Sequence, residues 1–439
     1  MWYRIAPVLI TASLFPLLAL TGCGGGGEQP AAGEGVVALE VWAHSGREEE
    51  RTLLETYVEE FNAQSDKARV RLTLLPDNSY NAQVQAAALA GDLPDVLEFD
   101  GPFLYNYVWQ GHLTPLDDLI SKELRDNVIP SIIAQGTYRD GLYSVGMFDS
   151  GLCLYARRSA LEQAGARIPA HPKDAWTVQE FDALVEKLAE TDEDGQVLDL
   201  KLNYRGEWYT YGFSPVLQSA GADLIRRPDY DTAAGVLNSQ AAVDALTYFQ
   251  QWVHERKRVD PNLDDRAFVG GRVALSWVGH WEYQRYSEAF GDDLVLLPLP
   301  DFGAGSKSGQ GSWNWGITKS CAHPEAAMRF IAFLLEDEQV TRMTGANAAV
   351  PGTWSGIAAS ARYTEESPLQ LFVTQLTKDY TVPRPRTPAY GVITGVFAKA
   401  FNQIINGVDV KESLATAARQ IDDDIEDNDD TRYGRHTLH

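Results

Sequence analysis

The chain is poor in cysteine, with 3 among 439 residues, and poor in positive charge, with 37 Lys and Arg against 61 Asp and Glu. No CxxC and no Cys/His pair stands at ligand spacing, so no metal centre is expected to organise the fold. Cys153 and Cys321 lie far apart in apolar or helix-start contexts and are expected as buried free thiols, with a disulfide in an oxidising compartment as the alternative. The formal net charge of −24 is not relieved by any Lys/Arg block, which makes nucleic acid an unfavourable partner. GxSxG, HExxH and GxxxxGK[ST] are all missing, so catalysis by those routes has no carrier. "GAGSKSGQG" at 303–311 lacks the helix start of a phosphate loop and reads as a mobile loop. "TDEDGQ" at 191–196 lacks the later Glu of a calcium loop and reads as a turn ending a helix. No cofactor, metal or catalytic residue is expected.

What is present begins with an export signal. Residues 1–22 carry one charge, Arg4, then an apolar run from Ile5 to Leu20 broken by Pro7 and Pro16. That run is too short and interrupted for a good membrane span. "LTGC" at 20–23 resembles the bacterial lipobox, which implies a lipidated Cys23 and a protein anchored at the cell envelope, on the periplasmic side or the outer face of the cytoplasmic membrane according to envelope type. Residues 23–35 are then a Gly-rich tether.

The mature chain alternates strand and helix patterns. Val37, Leu39 and Val41 alternate; Leu53, Leu54, Tyr57, Val58 and Phe61 follow helical spacing; Val70, Leu72 and Leu74 alternate again. Ser45 with Glu48 and Thr177 with Glu180 have capping-box spacing. A helix near 79–90 and a buried strand at 95–99 complete a βαβαβ opening, and such sheets place ligands at the carboxyl ends of strands. Further amphipathic helices are expected at 239–256, from Pro324, and near the carboxyl terminus. The fold class is therefore α/β.

With 11 Trp and 19 Tyr, the chain is rich in aromatics. They gather with polar residues at expected element ends, in "VWAHSG", "LEFDGPF", "GMFDSG", "YRGEWYTY", "WVGHWEY", "SWNWG" and "PRPRTPAY". A single aromatic stripe is ordinarily core, but seven mixed clusters suggest a lined cleft whose aromatic faces and hydrogen-bonding groups suit a neutral polyol.

In the order and spacing of "VWAHSG…LLETYVEEFNAQ", "ALAGDLPDVLEFDG…GHLTPLDDL", "DGLYSVGMFDSGLCLYARRSALEQAG", "GGRVALSWVGHWE", "GSWNWGITKSCAHPEAAMRFIAFLLEDE" and "RPRTPAYGVITGVFAKAFNQI", the chain resembles the extracellular solute-binding proteins of bacterial sugar ABC importers, the family of maltose- and trehalose-binding proteins. The resemblance implies a two-lobed periplasmic-binding-protein fold, hinge-linked, with ligand in the interlobe cleft. It divides the chain into a first lobe of 36–149 plus 294–335 and a second of 150–293 plus 336–439. It implies a monomer that captures a sugar, a disaccharide or small oligosaccharide, and delivers it to the transmembrane subunits of an ABC permease.

By the same resemblance, Asp149 matches an acidic sugar-hydroxyl acceptor, with a hinge cap as its rival role; Glu207, Trp208 and Tyr209 match a polar-aromatic loop, with core packing of Trp208 as rival. Trp281 matches a stacking platform, although His280 replaces the usual Pro and leaves the turn's shape open. Asp100 follows a strand at a common polar contact, and His44 and Ser45 lie in the first strand-to-helix loop, Ser45 having helix capping as its other role. Trp313 and Trp315 share one face of a strand and at least one of them is expected in the core. Arg384 and Arg386 offer bidentate bonds to sugar hydroxyls or, equally, a salt bridge; Trp354 and Tyr390 are expected at the far end of the pocket. Two alternatives stay open: a receptor of this fold for a polyol phosphate, held by the two arginines, and a secreted carbohydrate-active enzyme using Asp149 or Glu207.

Overall fold

The computed structural model describes residues 35–364 and 366–428, so the export signal, Cys23 and most of the tether lie outside the described residues. Two sheets organise the chain. The first runs in the order Ala68–Leu75, Val37–His44, Val96–Asp100, Trp313–Ile317, Ser144–Val145. Its first three strands are parallel, and Trp313–Ile317 enters antiparallel beside Val96–Asp100. All five residues of Val96–Asp100 are buried, as a central strand covered on both faces requires. Leu39, Val41 and Ala43 point into the core in strict alternation, and helix Glu48–Gln64 meets them with Leu54, Tyr57, Val58 and Phe61.

That helix begins later than the sequence pattern implies. Its cap is Arg47, whose backbone N–H donates to Glu50 Oε2 at 3.0 Å, while the Ser45 hydroxyl turns to Asp77 at 3.3 Å. Ser45 therefore ties two loops together and does not cap the helix. The Thr177–Glu180 capping box forms in full at the start of Val178–Ala189.

The second sheet runs Leu294–Leu297, Leu152–Arg157, Leu275–Gly279, Leu198–Asp199. Leu294–Leu297, expected in the first lobe, pairs antiparallel with Leu152–Arg157 and belongs to the second. Helix Asp337–Asn347, expected in the second lobe, packs instead on Glu48–Gln64, where the Tyr57 hydroxyl donates to the Gln339 carbonyl at 2.9 Å and Arg342 pairs with Glu60 at 2.9 Å. The chain therefore passes between the two cores around Asp149–Ser150 and Gly311–Ser312, and a third time beyond Trp354–Ala359, which is still tied to the first lobe through Ser355. Beside the first of these, Phe148–Asp149 pairs with Val350–Pro351. The 303–311 stretch is also more ordered than its composition implies, because Ser308–Gln310 pairs with Thr381–Pro383. At 191–196 the Asp192 carboxylate accepts the N–H groups of Asp194 and Gly195 and closes the expected turn.

Each lobe has its own apolar core, and Cys153 and Cys321 pack with different ones, Cys153 buried and Cys321 half-buried. A third, aromatic cluster joins Tyr80, Phe99, Phe103 and Tyr107 of the first lobe to Tyr390 of the second. Among the described residues no helix is long and apolar enough to cross a membrane.

Trp277 shows why an aromatic in "WVGHWEY" need not face the cleft. Its ring is fully buried between Phe249 and Phe213, and its indole N–H donates to the Gly212 carbonyl at 3.1 Å. Trp277→Ala is therefore expected to cost about 3–5 kcal/mol, by cavity formation and loss of the donor, read as a lower urea midpoint. A loss within 1 kcal/mol (roughly the scale of a surface substitution) would show that the site collapses around the cavity.

Candidate functional site in the cleft between the lobes

The centre of the cleft is an ionic cluster built from both lobes. Asp100 ends strand Val96–Asp100 of the first lobe, and Arg384 follows Thr381–Pro383 of the second. Arg384 Nη1 donates to Asp100 Oδ2 and Nη2 to Asp100 Oδ1, each at 2.5 Å, a bidentate pair. Nη1 also reaches Glu207 Oε1 at 2.7 Å. Helical spacing supplies the rest: Tyr390 and Thr394, four apart on Tyr390–Ile405, both donate to Glu207, Thr394 at 2.6 Å. Thr210 and Tyr211, three and four residues beyond Glu207 on Glu207–Ser219, complete the same face. The Thr210 and Thr394 hydroxyls lie 2.8 Å apart, and the Tyr211 ring lies 4.8 Å beneath the Arg384 guanidinium.

Burial pushes the Glu207 carboxyl above its usual range and the Asp100 charge adds to this, against the pull of Arg384. For Arg384, burial opposes the charge, but Asp100, Tyr390 and Glu207 outweigh it and hold the guanidinium firmly protonated. The crowding fixes a backbone choice. Gly311 has φ +134°, and a Cβ there would stand 2.7 Å from Arg384 Nη2.

Aromatic surfaces flank this centre. On the first lobe, Trp313 lies opposite Asp100 in the sheet and stacks face to face on His44, with ring centroids 3.8 Å apart and planes 2° apart. His44 Nδ1 faces Glu98 Oε2 at 2.6 Å. Burial alone would lower the imidazole's pKa, but Glu98, supported by Glu50 and Asp77, raises it from 6.5 to about 9. On the second lobe, Trp281 packs edge-on to Trp208 at 6.0 Å and obliquely on Tyr211 at 6.2 Å. Gly279 is needed because the Trp281 ring folds back over it: a Cβ at Gly279 would meet that ring at 2.0 Å. The glycine makes room for the tryptophan itself. His280, where a Pro was expected, opens the turn His280–Glu282. Burial lowers its pKa to about 4, so the neutral ring carries its proton on Nδ1 and donates it to the Asn347 carbonyl at 2.6 Å.

The structure thus brings together His44, Asp100 and Trp313 on one wall, and Glu207, Trp208, Trp281, Arg384 and Tyr390 on the other. Trp208 is itself largely core, its indole N–H bonded to the Leu200 carbonyl at 3.0 Å, and only its edge supports Trp281. Arg386 lines a small cavity beside Arg384 with Gln135, Gln310 and Gly311. Other candidates are placed elsewhere. Asp149 is fully buried beneath the crossing strands, where Gln135 donates to it at 3.1 Å and the Ser150 N–H at 2.8 Å. Its carboxyl is raised chiefly by burial. Tyr209 packs against Phe401 in the second core and lines an open recess on that lobe's surface. Trp315 packs against Phe330 in the first core. Trp354, half exposed, starts a short helix tied to the first lobe through Ser355 and Asn127. Tyr211, Thr210 and Thr394 were missed, although their i+3 and i+4 spacing from Glu207 and Tyr390 was visible once those two were chosen.

Comparison with known proteins agrees with this architecture. The family of bacterial extracellular solute-binding proteins matches residues 56–368. An uncharacterized lipoprotein from the oleD 5′ region of Streptomyces antibioticus is 24% identical over 336 residues, 74% of this chain and 72% of that one. A probable sugar-binding periplasmic protein of Rhizobium meliloti is 25% identical over 49% of this chain and 52% of its own. Among solved structures, the GacH receptor of Streptomyces glaucescens, studied unliganded and with acarbose, superposes with a TM-score of 0.76 at 20% identity, covering 89% of this chain and 99% of the receptor. Maltose-bound MalE3 of T. maritima gives 0.75 at 19% identity, covering 88% and 99%.

The cluster and the His44 pair each yield a test. Arg384→Met leaves the Asp100 and Glu207 carboxylates buried without their cation and is expected to cost about 3–5 kcal/mol in urea unfolding. Adding Asp100→Asn should recover part of that loss, and strictly additive losses would show that the pair is not coupled. The pKa of His44 is higher in the folded state, so its pairing with Glu98 contributes fully below pH 6.5 and is lost as pH rises through about 9. Melting temperatures from pH 6 to 9.5 (roughly the span over which His44 sheds its proton) should fall more steeply for the wild type than for His44→Gln; parallel curves would mean that the imidazole is uncharged.

Proposed function

The chain belongs to the bacterial extracellular solute-binding proteins, and from that premise we propose that it is a lipid-anchored receptor that captures a neutral oligosaccharide by lobe closure and delivers it to an ABC permease. The observation that carries the choice of solute is the pairing of Arg384. The central guanidinium is taken up by Asp100 and Glu207, so the middle of the cleft presents carboxylate and hydroxyl groups between aromatic faces rather than a spare cation. Carboxylates and hydroxyls accept from sugar hydroxyls in fixed directions, and the Trp281 ring and the His44–Trp313 stack offer flat apolar area to the C–H faces of a pyranose.

The polyol-phosphate alternative needed Arg384 and Arg386 acting together on an anion, and two carboxylates around Arg384 work against it. An enzymatic role for Asp149 is likewise unsupported, since its carboxylate is spent on Gln135 and Ser150 beneath the hinge. A binding protein needs no covalent step. Ligand that touches both lobes favours closure by its differential affinity for the closed form, and closure is the signal a permease can read. The sugar-binding relative in Rhizobium meliloti and the acarbose complex of the Streptomyces receptor support a glycan as the class of ligand. The lipobox at Cys23 supports the anchor.

Intrinsic tryptophan fluorescence titrated with maltose, maltotriose, trehalose and sucrose is expected to change saturably for at least one glycan. Trp281→Ala should weaken that binding by about 2 kcal/mol or more, roughly thirtyfold, with little change in melting temperature. No response to any glycan, together with saturable binding of glycerol phosphate, would replace the sugar by a phosphate.

A further inference from the structure

The turn that carries Trp281 is gripped by the opposite lobe on both flanks. Before it, His280 is bonded to the Asn347 carbonyl of the first lobe. After it, Glu282, fully buried, is ion-paired with Arg47, the residue that caps the first helix of the first lobe. Arg47 does more than neutralise Glu282. Its Nη2 donates to the Tyr204 hydroxyl at 2.8 Å and its Nη1 faces Asp265 at 3.4 Å. Tyr204 in turn donates its single proton to Glu282 Oε1 at 3.0 Å, and its ring packs edge-on to Trp208, which packs edge-on to Trp281. Arg47 and Glu282, the residue after Trp281, therefore meet at the Tyr204 oxygen.

The charges around this oxygen balance only with the first lobe in place. Lys201 pairs with Asp199 and Asp265, and Arg285 with Asp265 and Glu282, all within the second lobe. That leaves two cations against three carboxylates, and Arg47 is the third cation. Contact between the lobes therefore completes the charge balance around the Tyr204 hydroxyl.

We propose that Arg47 is a positioning residue for the Trp281 platform: from the first lobe it holds Glu282, the next residue of the turn, so the stacking surface is complete only where the lobes meet. This rests on the reading of Trp281 as the platform, yet it is testable without any sugar. In the full chain labelled with 5-fluorotryptophan, the Trp281 and Trp277 resonances are assigned by Trp281→Phe and Trp277→Phe. Arg47→Met is expected to displace or double the Trp281 resonance while leaving Trp277 unchanged, and Arg47→Lys to restore it in part. Glu282→Gln, which removes the charge that Arg47 meets, should displace Trp281 as Arg47→Met does. An unmoved Trp281 resonance in both Arg47→Met and Glu282→Gln overturns the proposal. So does a common shift of both tryptophans with a lowered melting temperature in both variants, which would make the contact purely structural. Because no glycan enters the experiment, failure of the sugar reading would leave its result intact.

Discussion

A single guanidinium, that of Arg384, is held between a carboxylate of one lobe and a carboxylate of the other. Burying one positive and two negative groups is costly unless each is paired and hydrogen-bonded, and breaking one pair leaves an uncompensated charge inside the protein. The neighbourhood obeys that constraint. Tyr390 and Thr394 share out the Glu207 oxygens on helical spacing, Thr210 backs Thr394, Tyr211 stacks beneath the guanidinium, and residue 311 is a glycine because any side chain would strike Arg384. The two lobes are thus joined at a point where the charges are already paired.

The same logic recurs at the cleft's edge. The acidic turn around Glu282 is satisfied within its own lobe only in part, and Arg47 from the other lobe supplies the remainder. At these two points interlobe contact is therefore specified by charge and direction. Such contacts are separable at moderate cost, as a hinge-linked receptor requires, whereas the apolar cores of the two lobes stay whole through any hinge motion.

Much of this was legible in the sequence, and the failures have a common cause. Alternation and helical spacing report which face of an element is apolar, so Leu39, Val41, Phe61 and the Thr177–Glu180 cap were readable directly. They do not report which sheet an apolar strand joins. Leu294–Leu297 suits either core equally and is assigned only by its pairing with Leu152–Arg157. Aromatic clusters carry a similar ambiguity. Trp277 and Trp281 stand four residues apart, yet one is fully buried and the other half-buried against Trp208 and Tyr211, because the strand ends at Gly279 between them. Trp315 lies within a strand, Tyr209 within a helix and Asp149 at the end of a crossing strand, and their side chains are engaged in packing or at the crossing. Arg384 had two open roles, sugar contact and salt bridge, and only the placement of Asp100 and Glu207 decides between them.

Closure of the two lobes on a neutral glycan held between them would make the bound chain more compact than the free one. Small-angle X-ray scattering of the full chain, with and without a saturating concentration of a glycan shown to bind, tests it most directly. The account predicts a smaller radius of gyration in the bound state. A glycan that binds while the radius of gyration stays the same would contradict it.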